Sequence, residues 1–375
     1  MAEYYDGAPN RRNSGRNGRK KGGRSWWPLI ADTIAALLTL VLSCAIVLII
    51  AMQYIDPSRM WVLPTLTLCA PIIYVLEIAA ALYWIIRWKW RFAAFTAIFV
   101  AAGAVYVPHF YKIVLTRRYD TKYVERNFTK VVSYNVAIDN KPGMIEYIGA
   151  MHPDILCMQE FLTEKESKWV ALGEDYRSTV TGEENYTCEI FTRHPILRHG
   201  VIDSVPRYNA VWADLKIGAD TVRVIDLHMQ STTLHNEDTQ FIQHHEYIFD
   251  DERESKLKSI VMRPTESNCK RAVQAEAVRR FMDESPYVLI VCGDFNDVPL
   301  SYTYHRIAEE MTDTFVEAGD GYSYTFDGYF RLLQIDHILV SPEIEVISYE
   351  ADNSAPWSDH YPVITRLKLN KEGKQ

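Results

Sequence analysis

The chain is 375 residues long, 48% hydrophobic and carries a formal net charge of −8 at pH 7, with a mean hydropathy of −0.14. That length admits one large domain or two modest ones, and the averages alone are those of an ordinary soluble protein. They mix two unlike parts: residues 1–119 hold 14 Lys/Arg against 5 Asp/Glu, whereas residues 120–375 hold 26 against 43, a balance of −17 that is poorly suited to gripping duplex nucleic acid through its phosphates.

Residues 1–25 are rich in Gly, Asn and Arg, with Arg11, Arg12, Arg16, Arg19, Lys20, Lys21 and Arg24 among them. Such a segment buries too little apolar surface to fold, which predicts a disordered basic tail. Residues 26–119 follow as a membrane region with three apolar stretches, Trp26–Tyr54, Trp61–Ile86 and Phe92–Leu115. Each reaches the ~20 residues that cross a bilayer core. None has a polar face, which a helix packed into a soluble domain would need. The first is too long for a cleaved signal peptide. Three transmembrane helices are therefore expected, with the lipid bilayer as partner. The tail and the Arg87–Arg91 turn are basic, whereas the connection from Asp56 to Met60 has only Arg59. Positive charge marks the cytoplasmic side, so the N-terminus is expected in the cytoplasm and the domain after the third span outside it, in the periplasm of a Gram-negative cell. Lys112, Arg117 and Arg118 pull the other way. Glu77 lies inside the second span, as a functional carboxylate or as one that faces the neighbouring helices.

Residues 120–375 read as a folded domain. Thr129–Asn135, Asp154–Glu160, Thr187–Thr192, Val211–Ile217, Thr221–His228, Tyr287–Gly293, Gln334–Val340 and Pro362–Leu369 are apolar and β-branched, as strands are. Gly143–Met151, Glu164–Leu172, Arg271–Glu284 and Tyr302–Glu310 are helical candidates. Continuously apolar runs such as Val288–Val291 predict strands buried on both faces, and the alternation of types predicts an α/β sandwich. The stretch Ser231–Lys270 has no clear strand and reads as a lid or binding loop; its His235, His244, His245 and Glu246 match no metal-site spacing. Cys157 and Cys292 sit within apolar strands as small hydrophobes, and Cys188 and Cys269 are a candidate pair in an oxidising compartment.

Polar motifs stand at the ends of these strands: Ser133-Tyr134-Asn135, Met158-Gln159-Glu160, Asp226-Leu227-His228, Gly293-Asp294-Phe295-Asn296, Ile335-Asp336-His337 and Ser358-Asp359-His360. Strand ends are where loops gather a site on a rigid scaffold. Mg²⁺ takes oxygen ligands and keeps several waters, so one or two carboxylates suffice, and Glu160 and Asp359 are the natural pair. Asp294 and Asn296 point the same way in an extended segment and would hold an attacking water; a plain Asx turn would use the same residues. His228 and His360 would donate to charge developing on a phosphate, with Asp336 the candidate to orient an imidazole.

In order and completeness these motifs resemble the endonuclease/exonuclease/phosphatase superfamily, the Mg²⁺-dependent group of DNase I, exonuclease III-type repair enzymes, sphingomyelinases and inositol polyphosphate phosphatases. The resemblance covers residues 130–369 and implies a four-layer α/β sandwich, two packed β-sheets flanked by helices. It implies Mg²⁺, with Mn²⁺ as a substitute, at Asn135, Glu160 and Asp359. It also implies Asp294 and Asn296 on the water, and His228 and His360 on the phosphate, with Asp336 behind His360. Where many members carry a small residue and Asn or Tyr, this chain has Tyr186, Cys188 and Glu189, and that role has no holder. The expected function is a membrane-anchored phosphoesterase. Its substrate is a lipid or small phosphoester on a par with nucleic acid, the latter kept open by Lys256, Lys258, Arg263, Lys270, Arg271, Arg279 and Arg280. No Lys/Arg cluster adjoins a motif, which disfavours inositol polyphosphates, and no motif is missing, which disfavours an inactive binding module.

Overall fold

The computed structural model describes residues 26–60, 63–113, 128–137, 141–161, 175–179, 187–203, 210–232, 250–328 and 331–369. The basic tail, the helix expected over Glu164–Leu172, Tyr186, and His235, His244, His245 and Glu246 lie outside the described residues.

Three apolar helices come first: α1 (Trp27–Met52), α2 (Ala70–Ile86, entered through a 3₁₀ turn over Leu63–Cys69) and α3 (Trp90–Ala104). Trp27–Met52 and Leu66–Ile86 are long and apolar enough to cross a membrane. The third expected span differs. Its helix has 15 residues, short of the ~20 that a bilayer core needs. The residue before a proline is pushed out of the helical region, and Pro108 lies four residues past the end of α3, inside a 3₁₀ turn over Val107–His109. The chain then extends as β1 (Tyr111–Lys112). Glu77 is buried and accepts a hydrogen bond from the Ser43 hydroxyl at 2.8 Å, so it faces the neighbouring helix. Trp84 is buried between the helices, stacked on Phe92 and donating to Thr39 Oγ1.

The folded domain holds two six-stranded mixed sheets. The first runs β10 (Thr312–Asp313), β12 (Asp336–Val340), β9 (Val288–Asp294), β8 (Asp220–His228), β7 (Ala210–Ile217), β6 (Ile196–Val201). The second runs β13 (Ile344–Ala351), β14 (Val363–Leu369), β2 (Thr129–Asn135), β3 (Ile155–Phe161), β5 (Thr187–Thr192), β4 (Arg177–Ser178). β8 and β9 are parallel, as are β2 and β3; the other ladders are antiparallel.

Alternating side chains of each strand serve different layers. Val131, Ile155, Cys157, Val224, Ile290, Cys292 and Val363 meet between the sheets. Val132, Tyr134, Leu156 and Met158 turn outward onto α4 (Met144–Met151), through Met144 and Ile148. Ile225, Leu227 and Val291 turn outward onto α5 (Asp250–Asp283) and α6 (Tyr302–Ala308). With both faces buried, β3 and β9 carry continuous apolar runs, Ile155–Met158 and Val288–Cys292. The layers are thus helix, sheet, sheet, helix.

Two parts of the reading change. The stretch from Ser231 is not loop throughout: residues 250–270 belong to α5, which continues through Pro264. All six cysteines are free, Cys188 and Cys269 included. Cys157 and Cys292 meet across the sheets with their sulfurs 3.2 Å apart, both buried.

The apolar helices are not a separate body. Leu300 packs with Ile46, Ile49, Ala70 and Ile73, and Leu68 packs against Val298, Leu333 and Ile335. β1 pairs with β11 (Gly321–Tyr322), and Lys112 Nζ donates to the carbonyls of Val316 and Glu317.

Candidate active site

Strand direction brings the motifs together. The parallel pairs β2/β3 and β8/β9 end at one edge of the sandwich, and the antiparallel β12 and β14 begin there. Register does the rest: His228 lies opposite Asp294, and Asp336 opposite Asp294 on its other side. These residues form one row across three adjacent strands. On the facing sheet Asn135 lies opposite Gln159, one residue before Glu160.

Local backbone features aim the side chains. Gly293 has φ 135°, and a Cβ there would lie 2.0 Å from the Leu227 carbonyl oxygen, so only glycine lets β9 lie against β8. Glu160 has φ 53° and sits where the β3/β5 register shifts between Met158 and Phe161. A bulge of this kind turns a side chain toward a site. Asn296 has φ 51°; its backbone N–H donates to Asp294 Oδ1 at 2.8 Å, and its Nδ2 donates to Asp294 Oδ2 at 2.9 Å and to the Met229 carbonyl at 3.1 Å. The Asx turn and the paired amide and carboxylate are therefore one and the same structure.

Asp294 is the hub. Asn135 Nδ2 donates to its Oδ2 at 3.0 Å and to Glu160 Oε1 at 3.2 Å, joining the two sheets. The Asn135 side-chain oxygen accepts from the Ala137 N–H. His228 Nε2 stands 3.6 Å from Glu160 Oε1 and 3.8 Å from Asp294 Oδ2. His360 Nε2 also stands 3.8 Å from Asp294 Oδ2, while its Nδ1 meets Asp336 Oδ2 at 2.9 Å. Asp359 is less tied in. It is exposed, and no contact from its carboxylate to the other seven candidates is recorded among the described residues. Its segment is held nearby, because Ser358 Oγ donates to the Asn135 carbonyl at 2.8 Å.

Burial and charge tune this group. Burial works against a charge on His360, but the Asp336 and Asp294 carboxylates outweigh it and push its pKa up to about 10. Burial raises Asp294, with Asp336 adding and the two imidazoles opposing. Burial lowers His228, against the pull of Asp294. The site thus offers a protonated imidazole, a neutral imidazole and a carboxylate more basic than usual.

Two places suit a metal ion. Asp294, Asp336 and His360 each bring a ligand atom within 4.8 Å of the others, all buried. Their atoms are already committed to one another. The Glu160 carboxylate is 26% exposed and open to water, which suits a hard ion that keeps part of its hydration shell.

The structure adds residues that the motifs hid. Gln159 Nε2 donates to Asp226 Oδ1 at 2.5 Å and to Ser133 Oγ at 3.3 Å, tying β3 to β8 and β2 beneath the site. Burial pushes Asp226 well above the usual carboxylate range. Glu189 accepts from the hydroxyls of Ser178 and Thr179. Gln159 and Asp226 stand in two of the motifs, but nothing in a strand-end pattern says which member points inward. Arg271 is buried, 3.2 Å from Asp297 Oδ2, and donates to the Gln230 carbonyl and Thr232. It is thus withdrawn from the basic patch, as Arg279 is by Asp283, whereas Lys270 stays exposed beside Glu266. His337 turns away from the site, toward Phe295 and Tyr304.

The model of the Endonuclease/Exonuclease/phosphatase family matches residues 132–360. That of a domain of unknown function (DUF8431) matches residues 32–110. No curated protein sequence matches the chain. Among solved structures, an endonuclease/exonuclease/phosphatase from Bacteroides vulgatus is 20% identical with a TM-score of 0.49, covering 65% of this chain and 100% of that chain. A family protein from Bacteroides thetaiotaomicron is 18% identical at 0.48, covering 66% and 97%. The mannosyl-6-phosphatase of Bacteroides thetaiotaomicron is 18% identical at 0.46, covering 64% and 99%.

Proposed function

The chain belongs to the endonuclease/exonuclease/phosphatase family, typically hydrolases of phosphoester bonds, and from that premise we propose that it is a membrane-anchored, Mg²⁺-dependent phosphoesterase. The observation that carries this reading is the row His228–Asp294–Asp336, joined to His360 and, through Asn135, to Glu160.

In this reading Glu160 would hold the ion with Asp359 beside it, and Asn135, whose Nδ2 donates to Glu160 Oε1 at 3.2 Å, would orient that carboxylate. A bound Mg²⁺ supplies Lewis-acid polarisation of a phosphoryl oxygen and of the leaving oxygen. The chain's own groups do the rest. Asp294 takes a proton from the attacking water, helped by burial that raises its basicity. The amide of Asn296, which donates to Asp294 at 2.9 Å, fixes the face that Asp294 presents. His360, held charged by Asp336, donates to the phosphoryl oxygens as negative charge develops there, and His228 adds a neutral donor from the other side.

The anchor reading puts α1 and α2 in the bilayer as full crossings and α3 as a third that nears the ~20 residues required only together with the 3₁₀ turn over Val107–His109, with residues 1–25 as a cytoplasmic tail, 26–119 as the membrane region and 120–375 as the catalytic domain. Support comes from the ends of the helices. Tyr54 after α1 and Tyr106 after α3 line one cavity against the folded domain, whereas the basic Arg87–Arg91 turn lies at the other end of α2. Positive charge marks the cytoplasmic end, which leaves the domain outside.

The withdrawal of Arg271 and Arg279 into ion pairs favours a lipid or small phosphoester over nucleic acid. The test is a substrate panel for the full chain with Mg²⁺: sphingomyelin, glycerophospholipids, single- and double-stranded DNA, RNA and phosphomonoesters, with Asp294→Ala as control. Turnover is expected on a lipid or small ester and not on DNA or RNA; preferred turnover of nucleic acid reverses the substrate assignment.

A further inference from the structure

A cavity of about 330 Å³ lies where the apolar helices meet the folded domain, within the ~300–1,000 Å³ range of ligand pockets. None of the eight candidate site residues lines it. One wall is made by Tyr54, after α1, with Tyr106 and His109, after α3. The opposite wall is made by Tyr304 and His305 of α6 and by Asp313.

The rings gather in two groups around the cavity. Tyr54 meets His305 edge to face at 4.5 Å, and His109 stands 6.3 Å from both Tyr106 and Tyr304. Asp313 is buried behind them, accepting from the N–H groups of Phe315 and Val316 and from the Tyr304 hydroxyl. Glu317 brings a further carboxylate to the exposed rim, that of Glu309 is paired with Arg306, and the lining contains neither Lys nor Arg. The nearby Arg306 is engaged by Glu276 and Glu309, and Lys112 by backbone carbonyls. Burial lowers the His305 pKa, against Glu309, so it adds no competing positive charge at neutral pH.

Aromatic faces with carboxylates behind them attract a soft organic cation and repel an anion. The cavity also stands at the level where α1 and α3 would leave the bilayer, which is where lipid head groups lie. We infer that it binds the trimethylammonium group of a choline phospholipid head, at a site distinct from the hydrolytic one. The inference rests on the anchor reading above for its lipid source, and on the cavity alone for its chemistry.

The test uses the full chain in a maltoside detergent and follows the thermal unfolding midpoint with tetramethylammonium or phosphocholine, against sodium chloride and glycerol 3-phosphate. The ammonium compounds are expected to raise the midpoint with dose, and the controls are not. Asp313→Asn, which keeps a capping side chain, and Tyr54→Leu at an exposed position are each expected to weaken binding roughly tenfold. No ammonium-dependent rise, or an unchanged rise in both variants, overturns the site. In phosphatidylglycerol nanodiscs free phosphocholine should still act; in phosphatidylcholine nanodiscs it should not, because the lipid already fills the site. An equal effect in both bilayers overturns the lipid and points to a soluble ammonium compound. Asp294→Ala should keep this binding while losing phosphoester turnover, so each reading fails by itself.

Discussion

The state of a single imidazole follows from its neighbours. His360 stays protonated at neutral pH because Asp336 and Asp294 outweigh its burial, and that charge is lost only as pH rises through about 10. Replacing Asp336 by Asn removes the nearer carboxylate, so the pKa falls toward the ordinary 6.5. The alkaline limb of the pH–rate profile is then expected to move down by a unit or more, with turnover fading between pH 7 and 9 where the wild type persists. A limb that stays in place would refute the orienting role. Gly293 makes a different demand. Alanine there would drive a Cβ to 2.0 Å from the Leu227 carbonyl, so Gly293→Ala should lower the unfolding midpoint and lose activity; a variant of native stability would contradict the close approach of β8 and β9. Most candidate residues were legible because chemistry-bearing side chains at strand ends are conspicuous. Asn135 was legible as a residue but not in its contacts: its nitrogen, rather than its oxygen, faces the two carboxylates. Gln159 and Asp226 were hidden because their partners lie on the other sheet.

The central strands declared themselves through apolar runs that are continuous in β3 (Ile155–Met158) and β9 (Val288–Cys292) and interleaved with polar residues such as Lys130 and Arg223 in β2 and β8. The edges did not. β6 is exposed at four of its six positions and half-buried at the other two, and so lacks the apolar pattern that marks a strand. β13 carries a register shift between Val346 and Ser348 that breaks its period. The start of α5 is dense with charge and holds Pro264, which argues against a helix in any local reading. The seam between the helices and the domain was illegible for a further reason: Leu300 and Leu68 are ordinary apolar residues whose partners are far away in the chain. That seam is testable. Leu300 is buried among Ile46, Ile49, Ala70 and Ile73, and Leu300→Ala should cost about 2–5 kcal/mol in thermal unfolding of the full chain. A cost below about 1 kcal/mol would mean that helices and domain are loosely associated.

Taken whole, the molecule joins its apolar helices to the back of its site. Val298 and Ile335, which pack on Leu68, lie two residues beyond Asn296 and one before Asp336. A fragment of residues 120–375 would expose Val298, Leu300, Leu333 and Ile335 together. It is expected to unfold at lower temperature than the full chain and to hydrolyse less per molecule; equal stability and rate would show that the helices are only a tether. Composition separates a basic apolar stretch over residues 1–119 from an acidic one over residues 120–375, but carries no sign of the core they share. The account as a whole depends on one cluster of side chains acting together on a phosphoester. Its most direct test is release of p-nitrophenol from bis-p-nitrophenyl phosphate by the full chain, with Mg²⁺ and with chelator, for the wild type, Asp294→Ala and His360→Ala. The account predicts Mg²⁺-dependent turnover that falls by about 10²–10⁴-fold in each variant; turnover that survives chelator, or near-wild-type rates in either variant, would contradict it.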